Sequence, residues 1–78
     1  MGFKEELVER WRREDEEARR VRRIHADWVF IEKQPEPLKQ ALKCYVELGD
    51  LHLAAKIANM SVDEFNELRI KAKIPVVI

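Results

Sequence analysis

Between Gly2 and Pro35 the chain contains neither glycine nor proline. That stretch is written largely in Glu, Arg and Ala, which are good helix formers. The run predicts a long helix over about Phe3 to Asp27 or beyond. Leu7, Trp11, Ala18, Val21, His25 and Trp28 fall on one stripe with alternating three- and four-residue steps, if Glu14 is a polar member. The stripe is thin, and it must be covered. Either the helix folds back on the second half of the chain, or it meets the same helix of a second copy.

Charge bears on that choice. Glu6–Arg10, Glu9–Arg13, Asp15–Arg19 and Glu16–Arg20 stand at i,i+4, each pair contributing a few tenths of a kcal/mol that salt weakens. Glu14, Asp15, Glu16 and Glu17 are followed at once by Arg19, Arg20, Val21, Arg22 and Arg23. A parallel pair of helices would set acid beside acid. An antiparallel pair centred near the small Ala18 would set acids beside arginines. The stripe of Leu7, Trp11, Ala18, Val21, His25 and Trp28 is therefore the expected interface of an antiparallel homodimer, with fold-back as the alternative. Arg19, Arg20, Arg22 and Arg23 also fit a phosphate-binding strip. Their plainer reading is a solvated face, paired with acids one turn earlier.

The chain divides at Gln34-Pro35-Glu36-Pro37. Residues 1–33 read as a charged arm for dimerisation or packing, and residues 36–78 as a helix-turn-helix-like domain. Pro37 suits a first helical turn, and Leu38, Ala41, Leu42, Tyr45 and Leu48 make an amphipathic face. Gly49 is a natural C-terminal stop. Asp50 can cap a helix from Leu51 to about Asn59, with Leu53, Ala54, Ile57 and Ala58 as its apolar side. Asn59 can take the left-handed turn conformation. Ser61 then caps a last helix, with Glu64 completing a capping box and Val62, Phe65, Leu68 and Ala72 facing inward. Pro75 ends that helix near Lys73. The fold class is all-α. Trp28–Glu32 either finishes the long helix or forms a short strand, and the second alternative allows one short β pairing of Trp28–Glu32 with Pro75–Ile78, because both runs are rich in β-branched or aromatic residues.

Composition excludes more than it selects. At 78 residues the chain is one small domain at most. Lys plus Arg and Asp plus Glu number 15 each, so bulk charge draws it neither to nucleic acid nor to an acidic membrane. Cys44 is the only cysteine, so no intrachain disulfide forms. No signal peptide or long apolar run is seen, and a cytoplasmic chain is expected. Many charges with few Asn and Gln lean toward a thermophilic or archaeal composition. Two glycines leave little for a phosphate cradle, and no nucleophile–base pair or carboxylate pair is visible. An enzyme is not expected, nor a cofactor, a metal or a small-molecule substrate. His25 and His52 lack a second donor at helical spacing and read as packing or surface residues. Cys44 reads as a small buried hydrophobe. Trp11, Trp28 and Tyr45 read as core or interface anchors.

The run from Ala41 to Phe65, ALKCYVELGDLHLAAKIANMSVDEF, and the close Ile74-Pro75-Val76-Val77 resemble a small prokaryotic family of predicted antitoxins. Its members are similar in an Ala-Leu…Tyr helix, a Gly turn, an Ala-Ala helix, a Met-Ser turn, a Glu-Phe helix and a Gly-Ile-Pro close. The resemblance is confined to the second half of the chain, and the glycine before Ile-Pro is Lys73 here. It implies a helix-turn-helix fold and a PIN-domain ribonuclease toxin as partner.

A DNA-reading helix-turn-helix sends the start of its second helix into the major groove. Here that start is Ser61-Val62-Asp63-Glu64, whose acids suit the helix dipole and not phosphates. The remaining DNA-contact candidates are Asn66, Arg69, Lys71 and Lys73, with Arg19, Arg20, Arg22 and Arg23. Two functions are therefore expected in competition. One is an antitoxin-like, DNA-associated regulator acting as a homodimer. The other is a helical interaction or assembly module with a degenerate helix-turn-helix that leaves DNA alone.

Overall fold

The computed structural model describes residues 15–77. Leu7, Trp11, Glu14 and Ile78, and the Glu6–Arg10 and Glu9–Arg13 pairs, lie outside the described residues. Among the described residues five helices follow one another: α1, described over residues 15–25, α2 (Trp28–Lys33), α3 (Leu38–Leu48), α4 (Leu51–Ala58) and α5 (Val62–Lys71). The described residues contain no strand.

That finding corrects the expected β pairing of Trp28–Glu32 with Pro75–Ile78. The Asp27 carboxylate accepts a hydrogen bond from the Phe30 amide and caps a new helix, which takes the whole WVFIEK run. The first helix stops at residue 25, so it does not run through Asp27. The Asp27 amide, not needed by either helix, donates to the Ala72 carbonyl at 2.7 Å and ties this corner to the end of α5. Just before the Pro75–Ile78 run, the Ile74 carbonyl accepts from Arg69 Nη1 at 2.7 Å.

The later boundaries obey their local signals. Gly49 ends α3 with a left-handed φ of 66°, and the Asp50 carboxylate accepts from the Leu53 amide to start α4. Asn59 takes a left-handed φ of 57°, and the Met60 amide closes back on the Ala55 carbonyl at 3.0 Å, a Schellman-type end. Ser61 caps α5 by accepting from the Glu64 amide, and its own hydroxyl donates to the Glu64 carboxylate. That is a variant of the capping box, in which the acid reaches the serine hydroxyl instead of its amide. Three residues, Asn59 to Ser61, thus join α4 to α5 in a tight helical corner. After α5, Lys73 takes φ 58°, and the Ile74 amide donates to the Arg69 carbonyl.

One core runs through the described residues. Ile31 of α2, Leu42 and Val46 of α3, Phe65 of α5 and Ile74 are its largest fully buried side chains. Tyr45 meets Phe65 edge to face at 6.1 Å. The buried alanines 41, 54, 55, 58 and 72 let the helices approach closely. Several positions depart from the expected stripes, Leu53 of α4 among them at 39% exposed. Leu48 is 59% exposed, while Val46, two residues earlier, is fully buried. Ala26, from the first half, belongs to the same core cluster as α3 to α5.

Candidate functional site

The arginine strip sits on the end of α3. The last carbonyls of a helix have no partner within it, and they carry the negative end of the helix dipole. In α3 two of those carbonyls are met by side chains from α1. Arg22 Nε donates to the Val46 carbonyl at 2.8 Å, and its Nη2 reaches the Glu47 carbonyl at 3.4 Å. Arg19 Nε donates to the same Glu47 carbonyl at 3.0 Å. Arg23 embraces the Glu47 carboxylate, with contacts of 2.7 to 2.9 Å to its two oxygens.

Arg22 is only 6% exposed, and a buried guanidinium needs such partners. Gly49 makes room for it. A Cβ at Gly49 would lie 2.8 Å from Arg22 Nη1. The acids expected to pair with these arginines do not. Neither Asp15–Arg19 nor Glu16–Arg20 forms an ion pair among the described residues, and Arg19 lies 3.6 Å from the Glu47 carboxylate instead.

This docking also sets which face of α1 looks inward. Asp15, Ala18, Arg19 and Arg22 line a pocket with Glu47, Leu48, Gly49 and Val77. Ala18 and Val21 are half-buried and His25 is exposed. The inward face is therefore rotated from the expected stripe toward Arg22 and Ala26. Trp28 is partly exposed, with its indole N–H on the Arg23 carbonyl at 2.8 Å.

The helix-turn-helix face contains α5. Asn66 and Arg69 are half-buried and joined, Arg69 Nε donating to Asn66 Oδ1 at 2.9 Å while Nη1 holds the Ile74 carbonyl. Lys71 and Lys73 are exposed at the far end of the helix, and Asp63 and Glu64 are exposed at its start. Of the eight DNA-contact candidates, Arg20, Lys71 and Lys73 are exposed and hold no hydrogen bond to another described side chain or carbonyl. An open groove lies beside the corner, lined by Asp50, His52, Leu53, Lys56, Met60 and Val62 among others.

Other singular residues have quiet surroundings. Cys44 is half-buried, and burial, followed by the Asp50 charge, pushes its thiol up, away from the reactive thiolate. His52 is exposed on α4. Among the described residues no group of three or more His, Cys, Asp or Glu could hold a metal ion, and no helix is long and apolar enough to cross a membrane.

The arginine clamp carried no signal in local spacing. Its partners lie 24 to 28 residues away, beyond any i,i+4 search. The usable hint was Gly49, which marks a helix end whose carbonyls want a cation. Comparison of the sequence with protein-family models, curated proteins and solved structures gives no match.

Proposed function

We propose that the protein is a non-enzymatic, antitoxin-like interaction module that works through protein contacts, with the helix-turn-helix as its scaffold. The observation that carries this reading is the engagement of Arg19, Arg22 and Arg23 with α3. These side chains hold α1 in place, and a phosphate competing for them would have to displace the helix. The acidic start of α5 supports the same reading, because a groove-entering helix end with Asp63 and Glu64 exposed repels DNA. The partner class implied by the resemblance is a PIN-domain ribonuclease.

The second reading is a DNA-associated homodimeric regulator. It is favoured by the tight α4–α5 corner and by the exposed Lys71, Lys73 and Arg20. Fluorescence anisotropy with a duplex from the gene's own upstream region, at low and moderate salt, separates the two. The interaction reading expects no sequence-preferring binding at either salt. Tight binding to that duplex over a scrambled one, weakened by Lys71→Gln and Lys73→Gln, would establish the regulator instead.

A further inference from the structure

The corner between α1 and α2 holds large apolar side chains outside the core. Ile24 is 69% exposed and Val29 is 66% exposed, while Ala26 between them is buried. Trp28 is partly exposed, and its indole N–H on the Arg23 carbonyl pins the ring to the last turn of α1. The corner itself is fixed. The Asp27 amide donates to the Ala72 carbonyl, and the Asp27 carboxylate caps α2. Two aliphatic groups and an indole left open on a fixed corner mark a surface that another molecule covers.

The charges say what that molecule is. Arg20 stands one helical turn before Ile24 on α1, and Lys33 one turn after Val29 on α2, so each exposed aliphatic has a base beside it. The Asp27–Ala72 bond brings the end of α5 to the same corner, with Lys71 and Lys73 exposed on either side of Ala72. None of these four bases forms an ion pair with a described acid. Several acids near the corner are already engaged. Asp27 caps α2, Glu32 lies 3.0 Å from Lys43, and Glu47 is held by Arg23. Glu16 and Glu67, one turn before Arg20 and Lys71, are exposed and offset only part of the charge. The corner is therefore apolar and net positive. A second copy would bring the same positive charge to it. A nucleic acid would meet the bases and leave Ile24 and Val29 bare.

We infer that the α1–α2 corner docks an acidic, aliphatic segment of a partner protein. Its apolar side chains cover Ile24, Trp28 and Val29, and its carboxylates meet Arg20, Lys33, Lys71 and Lys73. This rests on the reading that the protein works through protein contacts, and it states the chemistry of the partner's surface. The attraction is between exposed charges, so salt weakens it.

The test titrates the isotope-labelled full chain with a short, acetylated and amidated helical peptide carrying leucine on one face and glutamate on the other. Nuclear magnetic resonance follows the amide and indole N–H signals, and Trp11→Phe identifies the indole of Trp28. The expected result is a saturable shift of that indole and of the backbone around Ile24, Val29 and Lys73. Lys71→Glu should weaken binding on the order of fivefold or more, while Lys56→Glu, the same charge change on α4, should alter it by no more than about twofold. Ile24→Ser combined with Val29→Ser should weaken it on the order of tenfold, with helix content by circular dichroism unchanged. No shift at the corner overturns the inference, and so does equal binding of the peptide with lysine in place of glutamate. A Trp28 indole that shifts when the protein alone is concentrated gives the face to a second copy. The same shifts produced by oligothymidylate, and kept in Ile24→Ser with Val29→Ser, give it to nucleic acid. Either result overturns the acidic partner. Failure of the broader interaction reading shows separately, as sequence-preferring DNA binding in the anisotropy experiment.

Discussion

The guanidinium of Arg22 occupies the space that a side chain on Gly49 would need, with Nη1 2.8 Å from the position of a Cβ there. Two requirements meet at Gly49. Its φ of 66° is left-handed, and its bare Cα admits the buried arginine that caps α3. The last helical turn of α3 and the docking of α1 are therefore one structural unit.

Gly49→Ala should be costly on both counts. The left-handed conformation alone costs a non-glycine residue about 1 to 2 kcal/mol, and the methyl group also pushes on Arg22. In a domain this small, each kcal/mol lowers the melting temperature by roughly 4 to 8 °C. Thermal unfolding followed by circular dichroism checks it. A melting temperature equal to wild type would show that the space is not needed.

Lys73 is the opposite case. It has φ 58° with no glycine to ease it, at the end of α5. Lys73→Gly should stabilise the protein by about 1 kcal/mol, because the left-handed strain is relieved while the lysine is exposed. Denaturant unfolding of the variant measures the gain. A loss of stability would mean that the lysine side chain contributes more than its backbone costs.

The α2–α3 contact carries a pH signature. Lys43 lies 3.0 Å from Glu32, and its hydrogen bond, then its charge, hold the Glu32 carboxyl below the usual carboxylate range, with Lys39 adding to this. A depressed carboxylate stabilises the fold above its unfolded pKa. That contribution is lost as pH falls through the lower folded value. Stability should therefore fall less on the acid side in Glu32→Gln than in wild type, while both behave alike below the folded value. Urea unfolding at a series of acidic pH values reads the difference. Glu32 is exposed, so the effect is small and should shrink further in salt.

Exposed Leu48 offers a control on the core. It has the helical spacing of a core residue but looks to solvent, while Val46 is buried. Val46→Ala should cost on the order of 1 to 3 kcal/mol, and Leu48→Ala well under 1 kcal/mol. Comparable losses at both positions would contradict the observed orientation of α3.

The second half of the chain was largely legible because its signals are local. Pro37, Gly49, Asp50, Asn59 and Ser61 each sit within a residue or two of the boundary they set. The first half was not. Asp27 reads as one more charge in a charged run until its carboxylate is seen on the Phe30 amide. The helical period fixes spacing but not rotation. An inward face centred on Val21 and one centred on Arg22 differ by a single residue, and hydrophobicity alone favours the former. The clamp decides it, because Arg22 satisfies carbonyls that α1 cannot see in its own sequence. For the same reason the candidate contacts Arg19, Arg22, Arg23 and Arg69 looked available in the sequence and are engaged in the fold.

The docking of α1 on α3 depends most directly on Arg22. Equilibrium urea unfolding of Arg22→Met, compared with Arg20→Gln, separates a structural arginine from a solvated one. Methionine keeps much of the buried stem but leaves the Val46 carbonyl without its charged donor. The expected loss is about 1.5 to 3 kcal/mol for Arg22→Met and within about 0.5 kcal/mol for the exposed Arg20→Gln. Equal stability of Arg22→Met and wild type would contradict the clamp and return the strip to the solvent face where phosphate could reach it.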